Sequence, residues 1–320
     1  MSSRTIRWAV GLAVLALVTG AMLVAGVARG PQRAGAATTP ALGGPPPGAP
    51  LDHFICYHVT GSSNQGVPVG TTVKLADEFT TNAAGPVPKV VHVGLPVKLC
   101  NPISKWHNVG GFLFVYPVMH PTLHLVCFKI NEPTPTPSKV VSTDNQFNAS
   151  GSARVLTTQT LSATSKQTAT SMCLPSHKSL TPANLGGEPF DVLSHFKCYK
   201  AKETEPTGTT VPGLPAPVWA QDQFTPTPIP QSTVVAPVEV CNPAAKSLTT
   251  TAGTQTFPAV NPDLHLVCFS LRSAIQPATQ VYVDDQFTGA GAPGTLTLSG
   301  AAFQLCAPSF KQIIQPPPGG

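Results

Sequence analysis

Apolar residues in this chain recur with a period of two. In KVVHVGLPVKLC (89–100), Val91, Val93, Leu95, Val97 and Leu99 alternate with other residues, and Val234, Ala236, Val238 and Val240 do the same in STVVAPVEVC (232–241). That period, with its β-branched content, predicts half-buried strands. Between strand signals lie Pro- and Thr-rich stretches, EPTPTPSK (132–139) and EPTGTTVPGLPAP (205–217), which predict loops. We find no convincing amphipathic helical period.

The strand signals belong to a repeat. HFICYH (53–58), HLVCFK (124–129), HFKCYK (195–200) and HLVCFS (265–270) each place a Cys three after a His and an aromatic next to the Cys. A marker ending in Phe follows: DEF (77–79), NQF (145–147), DQF (222–224) and DQF (285–287). A third motif closes each unit, LCNPISK (99–105), MCLPSHK (172–178), VCNPAAK (240–246) and LCAPSFK (305–311), with Pro two and Lys five after its Cys. Opening cysteines 56, 127, 198 and 268 are 71, 71 and 70 residues apart, so the chain holds four units of roughly 70 residues. Units 1 and 3 share His-Phe-x-Cys-Tyr and Cys-Asn-Pro; units 2 and 4 share Leu-His-Leu-Val-Cys-Phe.

This pattern predicts an all-β protein of two tandem, disulfide-stapled β-sandwich or small-barrel domains, each an internal duplication. The domains are expected at 51–180 and 193–312, joined by a linker at 181–192. A Pro/Gly-rich spacer (37–50) precedes them, and a disordered tail (313–320) follows. Residues 1–36 read as a signal peptide or an N-terminal membrane anchor: Arg4 and Arg7 precede an apolar run from Trp8 to Ala28. The body is therefore expected to be secreted or extracytoplasmic, touching a membrane only through that run if it is uncleaved.

Export makes disulfides the expected state of all eight cysteines, Cys56, Cys100, Cys127, Cys173, Cys198, Cys241, Cys268 and Cys306. In-unit pairing (56–100, 127–173, 198–241, 268–306) is favoured because each unit then carries its own staple, while a swapped 56–173 with 100–127 stays open. Each bridge would contribute roughly 3–4 kcal/mol in the chain-entropy model. Charged residues are only 10% of the chain. Outside the N-terminal segment 15 basic residues face 14 acidic ones, so nothing favours nucleic acid as a partner.

The H-F-x-C-Y-K and L-C-x-P-x-x-K signatures resemble an uncharacterised Cys-rich repeat domain of exported bacterial proteins, over both expected domains. The resemblance implies no activity. His58 stands where Lys200 does, and Glu78 where the other units have Gln146, Gln223 and Gln286.

The repeated polar residues are the candidate ligand contacts: His53, His124, His195 and His265, with Lys105, Lys178, Lys246 and Lys311. Their recurrence in all four units favours a fold role, the histidines bonding a neighbouring turn and the lysines pairing at the surface with a marker Asp such as Asp222 or Asp285. The Pro after each closing Cys is expected to end its strand. No metal or cofactor is expected, because residues three apart on a strand face opposite ways and His195 and Cys198 cannot grip one ion. No catalytic motif is present. The expected function is an exported, non-enzymatic cell-surface or secreted structural or binding protein of unknown extracellular ligand or surface partner. A secreted hydrolase or carbohydrate-processing accessory protein is an alternative, requiring His195, His265, Lys246 and Lys311 in one cleft. An extracytoplasmic redox or metal-handling protein is another, requiring free thiols.

Overall fold

The computed structural model describes residues 51–61, 71–82, 85–109, 111–148, 153–159, 169–182, 185, 187, 189–204, 214–225, 229–250, 253–278, 280–288 and 293–314. The expected signal or anchor segment, the expected spacer and residues 315–320 lie outside them. Among the described residues no helix is long and apolar enough to cross a membrane.

The chain is all-β. Unit 1 supplies β1 (His53–Gly61), β2 (Thr72–Ala76), the short pair β3 (Thr81–Asn82) and β4 (Gly85–Pro86), β5 (Lys89–Val109) and β6 (Phe112–Tyr116). Unit 2 supplies β7 (His124–Asn131), β8 (Val140–Asp144), β9 (Arg154–Thr158) and β10 (Ser171–Ser179). Unit 3 has β11 (His195–Glu203), β12 (Ala216–Gln221), β13 (Gln231–Thr250) and β14 (Gly253–Phe257). Unit 4 has β15 (His265–Arg272), β16 (Gln280–Asp284) and β17 (Gly294–Ile314).

Eight of these strands, the opening and closing strand of every unit, pair antiparallel in the order β1, β5, β7, β10, β11, β13, β15, β17, and β17 returns to β1. The result is a closed ring in chain order, which removes the open edges of a flat sheet. The ring crosses the boundary expected between two tandem domains: β10 pairs β11 through Cys173 and Phe196, and β1 pairs β17 through Phe54 and Cys306. The described strands accordingly belong to one compact unit. Part of the expected linker is also packed, since Phe190 stacks on His177 at 4.4 Å and a Cβ on Gly187 would lie 2.6 Å from that of Thr122.

The in-unit disulfides form, 56–100, 127–173, 198–241 and 268–306. Each joins residues directly opposite on adjacent strands. They share one buried cluster with Phe54, Leu125, Phe196 and Leu266, the residues two before each opening Cys. Period two puts these on the inner face of the ring. There the bridges touch one another: Cys56 Sγ is 3.8 Å from Cys306 Sγ, and Cys173 Sγ 3.7 Å from Cys198 Sγ. Below them a polar layer comes from the position two before each closing Cys. Lys98 bonds Glu239, Gln304 Oε1 accepts from Lys98 at 3.3 Å, and Ser171 donates to Glu239 at 3.4 Å.

The alternate residues, among them Ile55, Tyr57, Val126, Phe128, Tyr199, Val267 and Phe269, face outward into a second buried cluster. The marker strands cover it by reaching two units away. The marker strand of unit 1 (β2) pairs the closing strand of unit 3 (β13), and the marker strand of unit 3 (β12) pairs the closing strand of unit 1 (β5). Likewise β8 pairs β17, and β16 pairs β10.

Three local expectations change. The closing strands run on through Pro102, Pro175, Pro243 and Pro308 instead of ending there. On one side each proline is still paired; on the other it falls in a gap. β5, for example, pairs β7 up to Cys100 and β12 from Ser104, so the missing N–H of Pro102 costs no ladder bond. The strict alternation in 89–100 also breaks: a register shift between Val93 and Pro96 turns Leu95 outward, 66% exposed. At the C-terminus β17 continues to Ile314, paired with Val140, past the expected end of the fold at 312.

Residues 51–180 and 193–314, expressed separately, are expected to remain unfolded by circular dichroism, because each half lacks the partners that its marker strands find two units away. Replacing the pairs Cys56/Cys100 and Cys268/Cys306 by Ala, singly and together, should show coupling of about 0.5 kcal/mol or more in denaturant titration, since these bridges touch.

Candidate functional site

The four repeated His/Lys pairs do not meet in one cleft. They form four separate stations at the same end of the ring, because the opening strands run parallel to one another and the His begins each. Every station takes His and Lys from one unit and the marker from the next. Lys105 Nζ lies 4.6 Å from the Phe147 ring centroid, Lys178 Nζ 3.9 Å from that of Phe224, Lys246 Nζ 4.6 Å from that of Phe287, and Lys311 Nζ 4.3 Å from that of Phe79. His53 Nε2 bonds the Gln146 amide at 2.7 Å, and His195 Nε2 bonds that of Gln286 at 2.5 Å. His265 Nε2 faces Glu78 at 3.5 Å, and Glu78 also accepts from Lys311 at 2.6 Å, so the Glu unique to unit 1 supplies a charge where other markers have an amide. His124 makes no such contact with Gln223, which is exposed.

Three of the lysines are therefore not surface ion pairs, while Lys311 does pair with the part-exposed Glu78 of a marker. Lys105, Lys178 and Lys246 are buried, and their amines have no hydrogen-bond partner among the described residues. A ring face is the main compensation for each, which is the geometry of a cation–π contact. Burial pulls the amines of Lys105 and Lys178 well below the ordinary range and that of Lys246 down to about 7, against the attraction of Asp285. Burial pushes Asp285 up to about 6. His53 and His124 are held well below their usual range by burial and the nearby lysine; for the same reasons His195 and His265 fall to about 3.

The marker turns explain the Asp/Asn at their head. Asn145, Asp222 and Asp285 each accept the backbone N–H of the Phe two residues on, at 2.7–3.0 Å, and in all four units a backbone bond from three residues on closes the turn. In units 1 and 3 the second oxygen reaches across the fold. Asp222 accepts from Tyr57 at 2.9 Å and Asn101 at 2.6 Å, and Asp77 accepts from Tyr199 and Asn242 at 2.9 Å each. Units 2 and 4 have Phe128 and Phe269 instead, packed edge-on against Phe287 and Phe147. Asn148 is likewise committed inside the fold, donating to the Thr143 carbonyl at 2.7 Å.

One station opens onto a cavity. Above His195 and Gln286 lies an apolar pocket of about 320 Å³, walled by Phe190, Leu193, Phe257, Pro258 and Val260, with Asp191 beside them. The walls come from the expected linker and from the end of β14. Phe257 tilts over His195 at 5.3 Å, as Tyr116 does over His53 at 5.0 Å. Both aromatics stand 16 residues after a closing Cys, a spacing that would have exposed them as a further repeat position. Cys198, Glu239 and Cys241 cluster closely enough to suggest a metal, but the two cysteines are bonded to each other and offer no thiolate.

Lys246→Met should raise the melting temperature most at or below pH 7 and progressively less toward pH 10.5. The folded amine titrates near 7 and the unfolded one near 10.5, so below pH 7 the wild type carries the full cost of a buried cation. In wild type, melting temperature should fall as pH drops from 6.5 toward 3. Over that window unfolded histidines take up protons that His195, facing Lys246, and His265, facing Lys311 and Glu78, refuse until about pH 3.

Comparison with known proteins places no relative beside this chain: no family model, no curated protein and no solved structure matches it.

Proposed function

We propose that this chain is an exported, non-enzymatic binding protein, at the cell surface or secreted, whose ligand enters the pocket over His195 and Gln286. The observation that carries the reading is the contrast between repeated and unrepeated features. The repeated His, Lys and Phe are used up in clasps between units, spread over four stations, as expected of scaffold. The pocket stands on one of those stations, and the part of its wall that unit 1 does not repeat is Phe190 with Asp191, where unit 1 has Gly48 and Ala49 at the same offsets before its His. Four closed disulfides suit an oxidising compartment and leave no free cysteine for redox chemistry.

The ligand that fits is compact, uncharged and mostly apolar, with one hydrogen-bonding group. Two phenylalanines, prolines, Leu193 and Val260 supply contact area, and no cation lines the wall. At the floor the Gln286 amide uses one end on His195 while its Oε1 has no partner. An alcohol or phenol fits that arrangement, the apolar body filling the pocket and the hydroxyl meeting the amide. Calorimetric titration with phenol, benzyl alcohol and cyclohexanol should detect binding that Val260→Trp abolishes. No heat with any of the three, or unchanged binding in the Trp variant, would refute this reading.

A further inference from the structure

The pseudo-twofold that relates unit 1 to unit 3 supplies an internal control for the outer faces of the fold. On one side, Trp106 of β5 stands directly opposite Trp219 of β12 and, across its other edge, opposite Val115 of β6. Leu113 extends the strip; it is 59% exposed and Val115 54%. Trp106, Trp219, Leu113 and Ile229 line an open hollow of about 300 Å³. Uncharged polar groups border it on the same face: Asn108 opposite Leu113, Gln221 opposite Ser104, and Gln231 opposite Trp219.

The sister face has the same strand pairing with β13, β2 and β14. There Ser247 stands where Trp106 does, Lys74 where Trp219 does, and Thr254 and Thr256 where Leu113 and Val115 do. The fold therefore builds this surface without aromatics, and the tryptophan strip is not a packing requirement. Exposed apolar strips with polar rims mark binding surfaces.

We propose that this face is a docking platform for a neutral polysaccharide, its sugar rings stacked on Trp106 and Trp219 and its hydroxyls bonded to Asn108, Gln221 and Gln231. A pyranose offers an apolar C–H face and a rim of hydroxyls that both donate and accept. Indole rings suit a partner apolar on one side and wet on the other, and amides match hydroxyls in both directions. No ionisable group stands among these residues, so the chemistry favours an uncharged glycan. A second copy of the chain fits less well, because it would strip water from three amides without assured partners. This platform is separate from the His195 pocket, and neither reading depends on the other.

The full-length exported protein should be titrated with hydroxyethyl cellulose, mixed-linkage β-glucan, galactomannan and dextran by tryptophan fluorescence and affinity gel electrophoresis. At least one should bind, with Trp106→Ala and Trp219→Ala each weakening it about tenfold. The double variant should not bind, and Thr254→Ala/Thr256→Ala on the sister face should match wild type. If a Trp variant fails to fold by melting curve, Asn108→Ala and Gln231→Ala at exposed positions replace it, with severalfold loss expected. Absence of binding to all four polymers, or undiminished binding in the double variant, would overturn the proposal. So would a wild-type dimer in sedimentation that the double variant dissociates, which would make the strip a contact between copies.

Discussion

Each marker phenylalanine packs against two units other than its own. Phe79 of unit 1 lies against Tyr199 of unit 3 and under the amine of Lys311 of unit 4; Phe224 of unit 3 lies against Tyr57 and under Lys178. Phe147 and Phe287 follow the same rule with Phe269 and Lys105, and with Phe128 and Lys246. No unit completes its own outer core, so the four must close as a ring. A small repeat that cannot bury its apolar face alone gains stability only through its neighbours, and here the neighbours are cyclic.

The inner core follows from that closure. Eight strands leave an interior wide enough only for side chains, and this chain fills it with four disulfides, with Phe54, Leu125, Phe196 and Leu266, and with the polar layer of Lys98, Ser171, Glu239 and Gln304. The bridges span adjacent strands at paired positions, so each locks the register of its own unit while the sulfur contacts between units close the layer. A chain with few aromatics and only 10% charged residues gains rigidity this way. The buried lysines run against that economy, since a desolvated amine without a hydrogen-bond partner is unfavourable and the ring faces offset only part of it.

Function in such a scaffold is expected where the pseudo-symmetry fails. The repeated His, Lys and marker residues answer a common structural need. The pocket over His195 takes Phe190 and Asp191 from a segment that unit 1 does not repeat, and the strip takes Trp106 and Trp219 from positions held by Ser247 and Lys74 on the sister face. The two surfaces also differ in kind. The pocket is concave with a single amide at its floor, whereas the strip is shallower, lies across three strands and is bordered by amides.

The sequence by itself determined the four units, the all-β class and the eight cysteines as bridge residues, with in-unit pairing favoured; the structure decided the pairing. Period-two alternation and Cys, Pro and Lys at fixed offsets are local signals that survive without the fold. It also marked His53, His124, His195 and His265 as structural partners of a neighbouring turn, which Gln146 and Gln286 provide for two of them. Only the tertiary structure decided which turn. The contacts run from unit 1 to unit 3, from unit 2 to unit 4, and from each station to the next marker, and a repeat with near-identical units carries no label for its partner. Burial of Lys105 or Lys246 was illegible for the same reason: a Lys five after a Cys reads as surface until another unit's ring is placed over it. The passage of strands through Pro102 and Pro243 depended on where two neighbours end and begin along one edge, a property of the closed ring that no single unit encodes.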